Sequence, residues 1–351
     1  MEFIQKALER HWYNDNQNLV ISILMNIILF LPSLLFKIVS SIRRSILKAF
    51  NSKKLPVPVI VVGNITVGGS GKTRLCLLIA QELSVKKHNV GIILRGYGGT
   101  ILVPTIVNKN DDPACVGDES LIYAQHGFPV VCGKNRYEAG LLLLKQHPNI
   151  DIIISDDGLQ HYQLERDFEI CVLDSFRLFG NRQLIPNGPL RELPSRLKSV
   201  DAIFMQDSPT DNNNNVHVLQ KLQQYNKPII LQKFKFIGLF NPATQETFLT
   251  NDLSAVYIIC ALGDNKRFIN YIKHSLNNIE PSKFITKCFI DHYYYQDHDI
   301  PHDGVIITTE KDYVKMKKFN RKNIWIVQSN LHIDNFASIM TQLLKKCNVK
   351  E

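Results

Sequence analysis

The residues best suited to chemistry form a glycine-rich segment that ends in Gly71, Lys72 and Thr73. In such a segment the glycines let backbone N–H groups approach phosphate oxygens, the lysine reaches the β and γ phosphates, and the threonine hydroxyl ligates Mg²⁺. The predicted nucleotide-binding residues are Thr66, Val67, Gly68, Gly69, Ser70, Gly71, Lys72 and Thr73. Thr66 stands where the strict Walker A pattern has its first glycine, so we expect a loop that departs from strict GTPase-like geometry.

A pair of carboxylates, Asp156 and Asp157, follows the apolar run at residues 151–155. A buried strand that delivers carboxylates to Mg²⁺ is the Walker B arrangement, and the predicted metal ligands are therefore Thr73, Asp156 and Asp157. Adjacent side chains of an extended chain point to opposite sides, so we expect one aspartate in the metal shell and the other beside a neighbouring group. The sequence leaves open which aspartate has which role.

The elements that must position these residues follow an α/β pattern. The run VPVIVVGN at residues 57–64 is typical of a strand buried on both faces of a parallel sheet, and a helical pattern follows the loop. A second strand is predicted at Val90–Leu94, and Arg95 follows it as either a substrate contact or a solvated arginine. The predicted fold is a P-loop NTPase core with a mostly parallel sheet flanked by helices, a smaller carboxy-terminal α/β portion and an amino-terminal membrane-associated helix.

The amino-terminal portion contains an apolar stretch from Leu19 to Val39 that is long enough to span a bilayer. Basic residues at positions 43, 44, 48, 53 and 54 follow it, which argues against a cleaved signal peptide and places the downstream chain on the cytoplasmic side. With Pro32 midway, three alternatives stay open: a spanning helix, a helix that lies in the membrane interface, and a buried core helix.

Composition narrows the classes of partner. The 351 residues carry a net charge of +9 that is spread along the chain, which favours anionic partners such as nucleotides and a phospholipid surface. No basic stripe is interleaved with aromatic residues, so we expect no nucleic-acid partner. The seven cysteines are scattered without a CxxC spacing, which argues against a disulfide framework and a zinc site and favours a reducing cytoplasm.

The chain is predicted to have three portions: residues 1–55 form the membrane-associated segment, 56–206 the P-loop core, and 207–351 a carboxy-terminal portion that completes the active-site cleft. The Asn- and Asp-rich segment Asp207–Val216 is interpreted as a linker or exposed loop. Further strands are predicted at Tyr257–Cys260, Val305–Thr308 and Ile324–Val327.

A different class, a regulatory P-loop GTPase or metallochaperone, has some support. Residues 108–111 read Asn-Lys-Asn-Asp, which matches the guanine-reading NKxD pattern by letters. This tetrapeptide precedes the second acidic site, whereas GTPases place it well beyond, so we interpret it as a polar turn.

Taken together, the motifs resemble those of the tetraacyldisaccharide 4′-kinase family. The segments that carry the resemblance are GNITVGGSGKT, LRGYGG, VGDES, SDDGLQH, IPNGPLRE, FIDHYYY and TTEKD. Two positions depart from the family, since Arg74 and Ser120 stand where proline is usual. The resemblance implies transfer of the γ-phosphate of ATP, with Mg²⁺, to the 4′-hydroxyl of a lipid A disaccharide precursor. It also implies work at the cytoplasmic face of the inner membrane, on an anionic surface and without an obligatory protein partner.

Further site residues are implied by the resemblance alone. Asp118 and His292 would form the catalytic pair that accepts the hydroxyl proton. Without the resemblance, Asp118 signals only a helix N-terminus, and His292 is typical of a packed aromatic cluster. The residues that would line the substrate or the rim of the site are Arg95, Glu119, Gln160, His161, Arg191 and Glu192.

Overall fold

The computed structural model describes residues 2–13, 19–206, 212–247, 255–277 and 279–349. The chain divides into two compact units. The first unit comprises Met1–Arg95, Asn135–Lys233 and Ile333–Glu351, and the second unit comprises Gly96–Lys134 and Phe234–His332. These borders differ from the predicted ones after residues 55 and 206. One reason is that the predicted core segment around residues 118–125 packs against residues 310–316 within the second unit.

The elements are numbered in chain order. The helices are α1 (Glu2–Tyr13), α2 (Leu19–Phe50), α3 (Lys72–Val85), α4 (Pro113–Val116), α5 (Asp118–Gln125), α6 (Arg136–Gln146), α7 (Asn212–Gln223), α8 (Asn265–Ser275), α9 (Glu310–Met316) and α10 (Phe336–Lys346). The strands are β1 (Val59–Gly63), β2 (Val90–Leu94), β3 (Thr105–Ile106), β4 (Val130–Cys132), β5 (Ile152–Asp156), β6 (Phe168–Asp174), β7 (Ala202–Gln206), β8 (Ile229–Asn241), β9 (Glu246–Thr247), β10 (Val256–Cys260), β11 (Phe284–Cys288), β12 (Val305–Thr308) and β13 (Ile324–Ile333).

The first unit is built on a parallel sheet in the order β7-β6-β1-β5-β2, with residues 229–232 of β8 beside β7. All residues of β1, β2 and β5 are buried, which explains why their sequences are continuous apolar runs and do not alternate. The carboxyl ends of these three strands lead into the glycine-rich loop, Arg95 and the Asp156–Asp157 pair. Open α/β sheets bind ligands at this edge.

The second unit contains a smaller parallel sheet in the order β11-β10-β12-β13. Strands β3 and β4 form an antiparallel pair, as do β8 and β9. The apolar strand residues pack with α8 on one side and with an aromatic group that includes Tyr295 on the other. This unit carries the two motifs, VGDES and FIDHYYY, that supply the predicted catalytic pair.

Most predicted elements are present, and some of them have shifted ends. The strands at Val90–Leu94 and Val305–Thr308 have the predicted bounds, and the strand predicted at Ile324–Val327 continues to Ile333. The predicted linker at Asp207–Val216 is wrong in part. Residues 207–211 lie outside the described residues, but Asn212 begins α7, because the Asn run leads into a helix that carries the buried apolar residues Val218 and Leu222.

Helix α2 begins at the predicted residue and continues past the predicted end to Phe50, with Pro32 inside it. In the part of the chain that the structure describes, it is the helix long and apolar enough to cross a membrane. Its less exposed residues recur every three or four positions along one stripe, at 22, 25, 29, 33, 36, 40, 44 and 47. Three serines and Arg44 lie on that stripe, while residues such as Ile28 and Leu31, which are 69% and 70% exposed, face outward. The buried core helix is thereby excluded, since a core helix does not leave apolar residues exposed on its other faces along most of its length.

Candidate active site

The glycine-rich loop connects β1 to α3 and is held by the side chain of Asn64. The Asn64 amide Nδ2 donates to the Gly68 carbonyl and lies 3.3 Å from it and from the Ser70 Oγ. Gly68 and Gly71 have positive φ angles of 106° and 80°, where a side chain would be strained. Lys72 is the first residue of α3, so the positive end of that helix dipole faces the loop, as in anion-binding sites at helix N-termini.

Thr66 replaces the first glycine of the Walker A pattern without distorting the loop. Its backbone pairs with Leu190 in an isolated antiparallel bridge, and it is not among the residues with positive φ. The neighbouring Val67 N–H donates to the Pro189 carbonyl at 2.8 Å. An extended residue needs no glycine, so the substitution is explained by this contact with the IPNGPLRE segment.

The two adjacent aspartates have different partners. The Thr73 hydroxyl donates to Asp156 Oδ2 at 3.3 Å, and Asp156 is 1% exposed. Asp157 pairs with Lys72 Nζ at 3.4 Å and with Arg191 Nη1 at 2.9 Å. Burial raises the pKa of the Asp157 carboxyl, but Lys72 and Arg191 outweigh that effect and hold its pKa below the ordinary value. Asp157 has a φ angle of 48°, which is uncommon for a residue other than glycine. Backbone outliers of this kind are frequent at functional sites.

Gln160 and Glu192 form a polar group beside the loop. The Gln160 amide donates to the Asn64 carbonyl at 2.9 Å and to Glu192 Oε2 at 3.0 Å. Glu192 also accepts a hydrogen bond from the Tyr162 hydroxyl and lies 3.6 Å from Arg44 of α2. Helix α2 is thus linked by charge to the same group of residues.

His161 lies in a positively charged environment. The pKa of His161 is lowered to about 3, mainly by burial and next by the charge of Arg136, while the Asp157 carboxylate opposes the shift and Arg95 adds to it. The imidazole is therefore neutral at pH 7. Arg95 itself is exposed, whereas Arg136 is 2% exposed and donates to the Asp156 carbonyl at 3.4 Å.

In the second unit, the predicted catalytic pair is in contact. His292 Nδ1 lies 3.0 Å from both carboxylate oxygens of Asp118, which is 3% exposed. Asp118 is the first residue of α5, and its Oδ1 accepts a hydrogen bond from the Glu119 N–H at 2.9 Å. Burial raises the pKa of Asp118, but the hydrogen bond to His292 and the charges of Lys311 and Lys315 bring it below the ordinary value. The carboxylate is therefore ionised and able to accept a proton.

His292 is held by several groups of the second unit. Its ring packs against Tyr97 with centroids 4.8 Å apart, and its φ of 60° is again in the left-handed region. The Tyr294 hydroxyl, two residues on, donates to the Gly98 carbonyl at 2.9 Å. The aromatic environment expected from the sequence is present together with the contact to Asp118.

Four contributors were not predicted from the sequence: Asn64, Arg136, Lys311 and Lys315. Asn64 lies within the segment GNITVGGSGKT and Lys311 within TTEKD, so both belong to segments that carry the family resemblance. The spacing of residues in these segments does not predict which groups the two side chains contact. Arg136 follows Asn135, which caps α6, and this cap was the available signal. Lys315 lies one helical turn after Lys311 on α9, and only the folded position of α9 reveals its role.

The first unit brings together a glycine-rich loop between a strand and a helix, a cationic lysine and a strand-borne aspartate next to a threonine hydroxyl. On a parallel sheet, this arrangement defines a P-loop nucleotide-binding protein. The model of the tetraacyldisaccharide-1-P 4′-kinase family matches residues 25–348. The chain belongs to this family.

Individual relatives agree with the family match. The tetraacyldisaccharide 4′-kinase of Methylobacillus flagellatus is 37% identical over 351 residues, which cover 97% of each chain. That of Histophilus somni is 38% identical over 352 residues, covering 95% of this chain and 98% of the relative. A crystal structure of LpxK from Aquifex aeolicus in complex with ATP is 28% identical and covers 90% of this chain and 98% of its own, with a TM-score of 0.72. The predicted family and P-loop kinase fold are confirmed.

Proposed function

We propose that the protein transfers the γ-phosphoryl group of ATP to the 4′-hydroxyl of tetraacyldisaccharide 1-phosphate, a step of lipid A biosynthesis. The observation that carries this proposal is the contact of 3.0 Å between the buried Asp118 and the half-buried His292. Transfer to a hydroxyl needs a proton acceptor of this kind, whereas a nucleotide switch does not. Family membership likewise favours a kinase over a GTPase or metallochaperone.

The loop of the first unit binds the nucleotide in this proposal. Backbone N–H groups of residues 66–73 and the α3 N-terminus bind the phosphate oxygens. Lys72 and Arg191 both form ion pairs with Asp157. Two cations are therefore held next to the loop, where they neutralise charge on the phosphates. Gln160, His161, Glu192, Arg95 and Glu119 remain proposed as residues of the substrate or the rim.

Asp118 is the proton acceptor. As the hydroxyl oxygen bonds to the γ-phosphorus, the bond from that phosphorus to the β–γ bridging oxygen breaks and ADP leaves. The hydroxyl proton passes to the Asp118 carboxylate, whose orientation His292 fixes. The cations near Asp118 keep it unprotonated before the reaction.

The donor set beside the loop suits Mg²⁺. This ion prefers hard oxygen ligands and is usually bound by one or two protein groups together with phosphate oxygens. Thr73 Oγ1 and Asp156 Oδ2 are 3.3 Å apart and supply such oxygens, whereas Asp157 is engaged with two cations. Bound there, Mg²⁺ would neutralise charge on the β and γ phosphates. We assign Thr73 and Asp156 as the metal ligands and Asp157 as the residue that positions Lys72.

The two aspartates should therefore respond differently to the same isosteric change. We expect Asp156→Asn to raise the Mg²⁺ concentration needed for half-maximal rate by about tenfold or more, because one charged metal ligand is lost. Asp157→Asn should leave that concentration unchanged and lower kcat instead, because Lys72 loses its partner. Rates measured against Mg²⁺ at saturating ATP separate the two cases, and equal Mg²⁺ curves would refute the assignment.

The proposed reaction is tested by mixing γ-labelled ATP with tetraacyldisaccharide 1-phosphate in detergent micelles. Label is expected in the lipid, and an acceptor whose 4′-hydroxyl is blocked should take up none. Nucleotide hydrolysis without labelled lipid would contradict the function and favour the switch. Labelling with GTP but not with ATP would contradict the choice of nucleotide.

The proposed location is the cytoplasmic face of the inner membrane, with α2 lying along the surface. Helix α2 contacts the rest of the first unit over a long distance: Ser33 donates to the Leu184 carbonyl, and the exposed Lys48 lies over the Tyr162 ring. These positions are 15 residues apart, or about 22 Å of helix. A helix attached over that length leaves too little free length to cross a bilayer core of about 30 Å, and its outward apolar face suits the interface.

Removing part of this outward face should release the protein from membranes. Burial of each large apolar side chain is worth about 1.5–3 kcal/mol, so the triple variant Ile27→Ser, Ile28→Ser, Leu31→Ser should bind anionic vesicles at least about tenfold more weakly. The matched control is Leu102→Ser, which is 80% exposed in the second unit and should not change binding. Extraction of the parent by alkaline carbonate supports an interfacial helix, whereas resistance to extraction would indicate a spanning one.

A further inference from the structure

The carboxyl end of α1 contacts the IPNGPLRE segment, residues 185–192, within the first unit. His11 is 1% exposed, and its Nε2 lies 3.0 Å from the side-chain oxygen of Asn187, which is 3% exposed. An amide oxygen only accepts hydrogen bonds, so Nε2 is the donor. The Trp12 indole N–H donates to the Pro186 carbonyl at 2.9 Å, and the Trp12 carbonyl accepts from the Asn181 N–H at 2.8 Å. Three hydrogen bonds therefore attach α1 at or just before this segment.

The other side of the same segment contacts the nucleotide loop. The Pro189 carbonyl accepts from the Val67 N–H at 2.8 Å, and the Arg191 N–H donates to the Ile65 carbonyl at 2.7 Å. The Arg191 side chain pairs with Asp157 at 2.9 Å. The segment thus lies between α1 and the first residues of the loop, and it carries one of the two cations beside that loop.

Internal hydrogen bonds make the segment a compact unit. The Gly188 N–H donates to the Leu184 carbonyl at 2.9 Å, and the Ile185 N–H donates to the Leu190 carbonyl at 2.9 Å. Leu190 is fully buried. The residue that His11 holds, Asn187, is only two positions before the residue that holds Val67. A displacement on the α1 side is therefore passed to the loop side.

We propose that His11 and Trp12 are positioning residues for ATP binding, which hold the IPNGPLRE segment so that it supports the nucleotide loop and Arg191. A loop that is held before the ligand arrives does not pay the cost of ordering on binding. If the loop is correctly placed only part of the time, the apparent Kd rises by the inverse of that fraction. This inference rests on the proposed function for the role of residues 66–73 and Arg191 at the phosphates.

The affinity for ATP can be measured without turnover. Full-length protein in detergent micelles is titrated with ATP and Mg²⁺ by calorimetry, with the lipid acceptor left out. His11→Leu and Trp12→Phe each remove one hydrogen-bond donor, and each should raise the Kd by about three- to tenfold, the equivalent of one net hydrogen bond. His11→Gln, whose amide can donate in place of Nε2, should restore most of the parental affinity.

Two further measurements separate positioning from general support of the fold. Asn187→Leu should raise the Kd as His11→Leu does, and the double variant should be no weaker than either single variant, because both remove the same contact. With the lipid present, KM for ATP should rise in the single variants while kcat at saturating ATP stays within about twofold, since bound ATP selects the correctly placed loop. If His11→Leu does not fold, Asn187→Leu tests the same contact from the other side.

Arg10→Gln is the matched control, since this exposed residue directly precedes the pair on α1 and its replacement should leave the Kd unchanged. A parental Kd in both His11→Leu and Trp12→Phe would overturn the inference, as would a lower unfolding temperature with unchanged affinity. Failure of the proposed function has a different signature. In that case the parent would bind ATP without labelling the lipid, and the order of the Kd values would still test the role of α1.

Discussion

Replacing Asp118 with asparagine is expected to lower kcat for lipid phosphorylation by about 10²- to 10⁴-fold, the range that general acid–base catalysis contributes. The amide keeps the shape of the carboxylate but cannot accept the hydroxyl proton. KM for ATP should stay the same, because the proposed nucleotide-binding residues 66–73 belong to the other unit. Initial rates of label transfer at saturating lipid measure the effect. Asp303→Asn, at an exposed position of the second unit, is the control, and a variant that keeps more than a tenth of the parental kcat would contradict the assignment.

The same substitution affects stability in a way that depends on pH. The folded-state pKa of Asp118 is below its ordinary value of 3.8, so its ionised form stabilises the fold above that pH, and the contribution is lost as pH falls further. Asp118→Asn should therefore destabilise the protein at pH 7, by about 1–3 kcal/mol, and progressively less below about pH 3.8. Urea unfolding at pH 7 and pH 3 checks this difference. Rates must be measured at a pH and temperature at which the variant is fully folded, so that unfolding is not mistaken for a loss of catalysis.

The parts of the fold that follow local pattern could be predicted from the sequence. Continuous apolar runs fix β2 and β12 to the residue, because burial on both faces leaves one pattern possible. The orientation of α2 could not be predicted, because a helix that is apolar nearly all round does not indicate which side it buries. In the structure three of its serines, Ser22, Ser33 and Ser40, lie on the less exposed side, whereas Ser41 and Ser45 are exposed, so serine positions alone do not identify that side.

The candidate site shows the same limit at the level of side chains. Spacing predicted that Asp156 and Asp157 would have separate roles, but only the folded positions of Thr73, Lys72 and Arg191 distinguish their partners. Residues 174 positions apart, Asp118 and His292, could be paired only through the family resemblance. Lys315 could not be predicted even with the family resemblance, since a buried lysine is not expected from a local pattern.

Lys72 should show the second large effect. Lys72→Met is expected to lower kcat by about 10²- to 10³-fold, as for the loss of one group that stabilises developing charge in a transition state. The side chain is of similar length and apolar, so the change removes the charge while keeping most of the packing. Asp157 retains Arg191 at 2.9 Å, so the site should not lose its remaining ion pair and the unfolding free energy should change little.

The division between kcat and KM identifies what Lys72 does. If Lys72 mainly stabilises the phosphoryl group in the transition state, kcat falls and ATP still binds, because backbone N–H groups of the loop would hold the phosphates. If it mainly binds ground-state ATP, KM rises and kcat is restored at high ATP. Lys86→Met, at the exposed residue directly after the carboxyl end of α3, controls for loss of a positive charge near the same helix. Only the first outcome agrees with a lysine kept beside the loop by Asp157, because that pairing fixes its position before the nucleotide arrives.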